Sequence, residues 1–134
     1  HLQIFIRPNT ENTYIYNNLI YISDKAKLKI DTRNDGTVND WKNNLFFGNL
    51  VIDGASDYEH NGTEIFTNPL LVNPGGSTAN DYKLQSSSPA LGSGYIINGS
   101  DDVKNYIKNN GGRDYFGNSV SSDSKPNIGA YNGN

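Results

Sequence analysis

Two polar runs carry the side chains from which a site could be assembled. Asp31, Arg33 and Asp35 share one corner, and Asp40-Trp41 follows shortly after. Two carboxylates beside a cation can move protons or hold calcium, which takes several hard oxygen ligands. The same pattern also fits a solvated corner whose ion pair contributes less than about 1 kcal/mol. The second run is Asp53, Asp57, Glu59 and His60, in a polar loop that reaches Gly62. Asp53, Asp57 and Glu59 are its candidate calcium ligands, although their spacing is not that of an EF-hand. A loop projecting in this way can equally line a sugar groove, or simply be solvated. His60 is the one internal histidine and has no Ser or Cys nucleophile beside it.

Aromatic residues add a third kind of chemistry, since ring faces stack on sugars. Trp41 is the single tryptophan, with Tyr14, Tyr16, Tyr21, Tyr58 and Tyr82 as further rings. Its neighbours Asp40 and Lys42 are charged, so partial exposure is expected of it. Trp41, Tyr58, His60 and Arg33 are the candidate carbohydrate contacts. Tyr21 and the Phe46-Phe47 pair read as core.

The elements that must position these groups are short and repeated. Asn17-Asn18-Leu19-Ile20-Tyr21 returns as Asn43-Asn44-Leu45-Phe46-Phe47, and returns again at nearly the same interval as Asn68-Pro69-Leu70-Leu71-Val72. Self-similarity at such a period marks an array of stacked units. The units have strand character and no helical periodicity, so the expected fold is all-β: a parallel β-helix, or solenoid, of about three coils. In such an array each coil buries its side chains only against its neighbours. Leu19, Leu45 and Leu70 should then form one vertical file inside the column. The first coil is expected over 14–38, with strands at 14–22 and 26–30. The second runs over 39–64, with strands at 44–47 and 49–52, and the third starts at Ile65-Phe66. Projected backwards, the period places an earlier strand before residue 1, so a further N-terminal portion of the β-helix is expected as a partner.

Composition agrees with a thin column. The apolar fraction is 34%, while 21 Asn and 14 Gly supply residues that accept left-handed backbone at corners. A chain of 134 residues is one domain's worth. Its net charge is −3 and its basic residues are scattered, so there is no electrostatic footprint for nucleic acid. No apolar run approaches the length of a membrane-spanning helix. The absence of Cys excludes disulfides, thiol catalysis and Cys-ligated metals.

Beyond residue 76 the pattern changes. Ser100-Asp101-Asp102 reads as a helix start, with Val103, Tyr106 and Ile107 on one face and Gly111 as the stop. One domain is therefore expected: coils over 1–76, then over 77–134 a last strand, one short capping helix and an extended cap.

Four tail segments occur in order: Asn68-Pro69-Leu70-Leu71-Val72-Asn73-Pro74, Tyr82 to Leu91, Gly112-Arg113-Asp114-Tyr115-Phe116-Gly117-Asn118, and Lys125-Pro126-Asn127-Ile128-Gly129-Ala130-Tyr131. This series resembles the C-terminal end of right-handed parallel β-helix proteins of the pectate-lyase-like superfamily. It departs from them at Asn68 and Asn127, where Asp is usual, at Leu91-Gly92-Ser93-Gly94, and at Asn132 in place of a final Glu. The resemblance implies the C-terminal part of a secreted or cell-surface bacterial polysaccharide lyase or glycoside hydrolase. A pectin-like or other acidic glycan would be its ligand, and the catalytic groups would lie outside this stretch. The alternatives are a non-catalytic carbohydrate-binding or adhesion module and a purely structural cap.

Overall fold

The computed structural model describes residues 2–6, 13–24, 26–32, 39–53, 62–97 and 112–133. Its regular structure is almost entirely short strands: β1 (Leu2–Ile6), β2 (Thr13–Tyr16), β3 (Leu19–Ile22), β4 (Leu28–Thr32), β5 (Asn39–Lys42), β6 (Leu45–Gly48) and β7 (Leu50–Asp53). The fold is all-β. Among the described residues the helical element is a single 3₁₀ turn at Ala79–Tyr82. The helix expected to start at Ser100 lies outside the described residues.

All strand pairing among these elements is parallel. The sheets are β1-β4-β7, β2-β5 and β3-β6. Leu2 pairs with Leu28, Tyr14 with Asp40 and Leu19 with Leu45, so a single offset along the chain sets the register in all three sheets. The β4–β7 pairing uses a shorter offset, with Leu28 against Leu50. The expected strand over 14–22 is broken in two at Asn17-Asn18. Asn17 and its equivalent Asn43 hold left-handed backbone, φ 58° and 50°, a conformation that Asn tolerates better than other non-glycine residues. Strand β6 ends at Gly48, where φ is 105° and a Cβ would meet the Ile22 carbonyl oxygen at 1.9 Å.

Strand alternation divides the apolar side chains into two clusters. Ile22, Leu28, Trp41 and Phe46 are buried together, with Ile15, Ile20, Ala26 and Leu50 around them. Members of all three sheets meet there. Leu19, Tyr21, Leu45 and Phe47 point to the other side of β3–β6, into a second cluster with Leu71, Leu84, Ala90, Ile128 and Tyr131. Each fully buried Leu, Ile or Phe in these clusters contributes about 1.5–3 kcal/mol.

One expectation is corrected by this arrangement. The file of leucines stops at its second member, because the residue bridged to Leu45 is Ile65 and not Leu70. Leu70 adopts φ 51°, and Leu71 turns into an antiparallel bridge with Leu84. Leu19 and Leu45 belong to the second cluster and not to the one that holds Trp41. The tail lies along the β3–β6 face. Ile128 is fully buried against the β3–β6 face, and the Gly129 amide donates to the Asn17 carbonyl at 2.9 Å. A Cβ at Gly129 would approach the Leu19 Cβ to 2.9 Å, which is how closely the tail backbone is laid on that face.

Candidate functional site

The best-defined cluster of ionisable and aromatic side chains lies on the outer face of β2–β5. In β2, Ile15 turns inward, which leaves Tyr14 and Tyr16 on the other face; in β5, Trp41 turns inward and leaves Asp40 and Lys42. The register sets Tyr14 beside Asp40 and Tyr16 beside Lys42. Tyr95 joins them from the tail. Its backbone is clamped by the Asn17 side chain, which accepts from the Tyr95 amide at 2.6 Å and donates to its carbonyl at 2.9 Å. Asn43 donates in the same way to the Ser93 carbonyl at 2.8 Å. The repeated corner asparagines thus hold segment 93–95 against the sheets.

Asp40 is the electrostatic centre. Its Oδ2 accepts a short hydrogen bond from the Tyr16 hydroxyl and another, 2.6 Å long, from Lys42 Nζ. The Lys42 ammonium lies 5.3 Å from the Tyr16 ring centroid and 4.9 Å from that of Tyr95, a cation–π pairing worth about 0.5–1 kcal/mol at such a half-exposed site. Tyr14, Tyr16 and Tyr95 follow one another with centroids 5.8 and 5.2 Å apart, in tilted and edge-on contacts. Tyr14 is 57% exposed and presents its ring to solvent.

Partial burial, with the hydrogen bond to Asp40 and its negative charge, pushes the Tyr16 phenol well above its ordinary value. Burial also acts to raise the Asp40 carboxyl. The hydrogen bonds from Lys42 and Tyr16 and the Lys42 charge outweigh it, and Asp40 stays below the usual range. Lys42 is held above its ordinary value, first by its hydrogen bond to Asp40. At neutral pH the trio is a protonated phenol, a carboxylate and an ammonium. No member is poised near pH 7, as a general acid or base would be.

Trp41 requires a correction. It is fully buried, 6.4 Å from Phe46 between ring centroids, and no sugar can reach it. The charged neighbours that suggested exposure have the opposite meaning in a strand: if Asp40 and Lys42 face water, Trp41 faces the core. Arg33, Asp57, Tyr58, Glu59 and His60 lie outside the described residues. Asp53 ends β7, its backbone paired with that of Asp31. The residues that do come together carried a signal in the chain. Tyr14-x-Tyr16 and Asp40-x-Lys42 both alternate, and they stand one repeat apart.

Other polar centres serve the fold. The Asp114 carboxylate accepts from the amides of Phe116 (2.8 Å), Asn118 (2.8 Å) and Asn132 (2.5 Å), and from the Asn118 side chain at 2.8 Å. It ties the Gly112–Asn118 turn to the end of the tail. A cleft of about 290 Å³ between Leu84, Gln85, Ser86, Leu91, Tyr131 and Gly133 has a largely apolar lining, without a charged group among the described residues.

No protein-family model matches the chain, and none of the curated proteins matches it either. Among the described residues no helix is long and apolar enough to cross a membrane.

Proposed function

We propose that the three parallel sheets are the faces of a right-handed parallel β-helix, and that the chain is the C-terminal part of a secreted, polysaccharide-active protein. The architectural reading is supported by the strand order. β1, β2 and β3 each take a different sheet, and β4, β5 and β6 take the same three sheets in the same order. Crossovers between parallel strands of one sheet are right-handed in nearly all proteins. The resemblance of residues 68–131 to the tails of pectate-lyase-like proteins points the same way.

The functional reading rests on one observation, the outer face of β2–β5. There an exposed tyrosine ring stands beside a carboxylate and an ammonium fixed by mutual hydrogen bonds. Sugars are bound by this combination, with a ring face for their C–H surface and charged acceptors and donors for their hydroxyls. The part assigned to this stretch is to hold the glycan, while bond cleavage belongs to lyase or glycoside hydrolase residues elsewhere in the protein. Affinity electrophoresis against a panel of soluble polysaccharides tests the reading. Retardation by at least one glycan, lost in Tyr14→Ala, is expected. Equal migration in every gel would refute it. Product absorbance of unsaturated uronides and a reducing-sugar assay should both stay at background for this chain alone.

A further inference from the structure

Resting on the glycan reading above, we infer that the Tyr14–Asp40 face takes a neutral, hydroxyl-rich sugar chain in place of the acidic glycan that the tail resemblance implies. The local charge decides this. Among the described residues Lys42 is the one cation of the cluster, and Asp40 already neutralises it at 2.6 Å. Its ammonium is further enclosed by the Tyr16 and Tyr95 rings. A uronate carboxylate arriving here meets a cluster whose charges cancel among the described residues, on a chain of net charge −3, and must compete with Asp40 for Lys42. It gains no Coulomb attraction that water did not already supply.

A neutral ring meets the opposite conditions. Among the described residues Asp40 Oδ2 takes both hydrogen bonds from Tyr16 and Lys42, and Oδ1 accepts none. A carboxylate oxygen with open lone pairs is a strong acceptor for sugar hydroxyls. The Tyr16 hydroxyl donates to Asp40 and can still accept. Tyr14, beside Asp40 in the register and 57% exposed, offers the stacking face. The recognised unit is thus one pyranose ring packed on Tyr14, with hydroxyls directed at Asp40 Oδ1 and at the Tyr16 oxygen. Specificity comes from hydroxyl placement and not from charge.

The test titrates the isotope-labelled chain with mannohexaose, cellohexaose and hexagalacturonate, followed by amide chemical shifts and calorimetry at low and high salt. A neutral hexasaccharide is expected to shift the amides of Tyr14, Tyr16, Asp40 and Tyr95, with an affinity unchanged by salt. Tyr14→Ala should weaken it about tenfold and Tyr14→Phe less than about twofold, because the ring is what stacks. Asp40→Asn should weaken the neutral ligand about fivefold or more and strengthen hexagalacturonate by freeing Lys42. Tighter, salt-sensitive binding of hexagalacturonate to the wild-type face overturns this inference and leaves the glycan reading standing. Absence of shifts at these residues with every oligosaccharide overturns both. Unchanged amide spectra of the unliganded variants away from the substituted residue separate lost binding from lost folding.

Discussion

Asn44 is the side chain whose removal tests the architecture most directly. It is fully buried, yet polar. Its Oδ1 accepts from the Asn18 amide at 3.0 Å and from the Asn18 side chain at 2.9 Å, and its Nδ2 donates to the Ile15 carbonyl at 2.8 Å. Asn44 therefore reaches across one full repeat and ties two successive corners together. In Asn44→Ala the half-buried Ile15 carbonyl loses its side-chain donor, while the exposed Asn18 groups can turn to water. One poorly satisfied acceptor costs about 1–3 kcal/mol and each rehydrated bond about 0.5–1 kcal/mol, so a loss of about 3 kcal/mol is expected. With a urea slope of about 2 kcal/mol/M, the unfolding midpoint should fall by about 1.5 M at constant slope. Asn18→Ala removes one exposed and one part-buried side-chain bond but leaves Asn44 Oδ1 the Asn18 amide, and should cost about 1 kcal/mol. The double variant should cost less than the sum, because both act on one network. A loss below about 0.5 kcal/mol in Asn44→Ala, or strict additivity, would refute the view that these asparagines join neighbouring paired strands.

Gly48→Ala should be among the most damaging small substitutions, costing about 3 kcal/mol or more or preventing soluble expression, since the new Cβ would collide with the Ile22 carbonyl at positive φ. Ile128→Ala should cost about 2–5 kcal/mol in denaturant melts although it lies in the tail, because it is fully buried against the β3–β6 face. Asp114 has a folded-state pKa below its unfolded value: burial raises it, but the hydrogen bonds from Asn118, Asn132 and Phe116 lower it more. Its contribution is complete above the unfolded value of about 4 and is lost as pH falls through the folded one. The stability gap between wild type and Asp114→Asn should accordingly narrow as melts are taken to lower pH. Fluorescence of the single tryptophan should be blue-shifted and resist acrylamide in the native chain, then shift red on unfolding; a solvent-quenched native signal would contradict the burial of Trp41.

Much of the fold was legible in the chain because parallel pairing of successive segments writes itself as repetition. The recurrence of Asn-Asn-Leu marks both the corners and the register, since each corner needs a residue that accepts positive φ and each strand needs apolar residues at the same phase. Legibility ended at the third copy. Asn68-Pro69-Leu70 matches by residue type, but the register is set by hydrogen bonds, and those join Phe46 and Asn44 to Ile65. Of the candidate contacts, the exposure expected of Trp41 was misread. Trp41 was the most conspicuous aromatic, and alternation sends it inward while its charged neighbours go out.

Sequence alone determined the all-β character, the common offset of the β1–β4, β2–β5 and β3–β6 pairs and the position of the asparagine corners, because each follows from local backbone preference and side-chain period. Only the tertiary structure decided which way β3 and β6 present Leu19 and Leu45, that the tail covers their flank, and that Tyr95 is brought back to Asn17 to complete the tyrosine face. Those outcomes depend on contacts between segments far apart in the chain, and no local period encodes which distant surface will bury a given face.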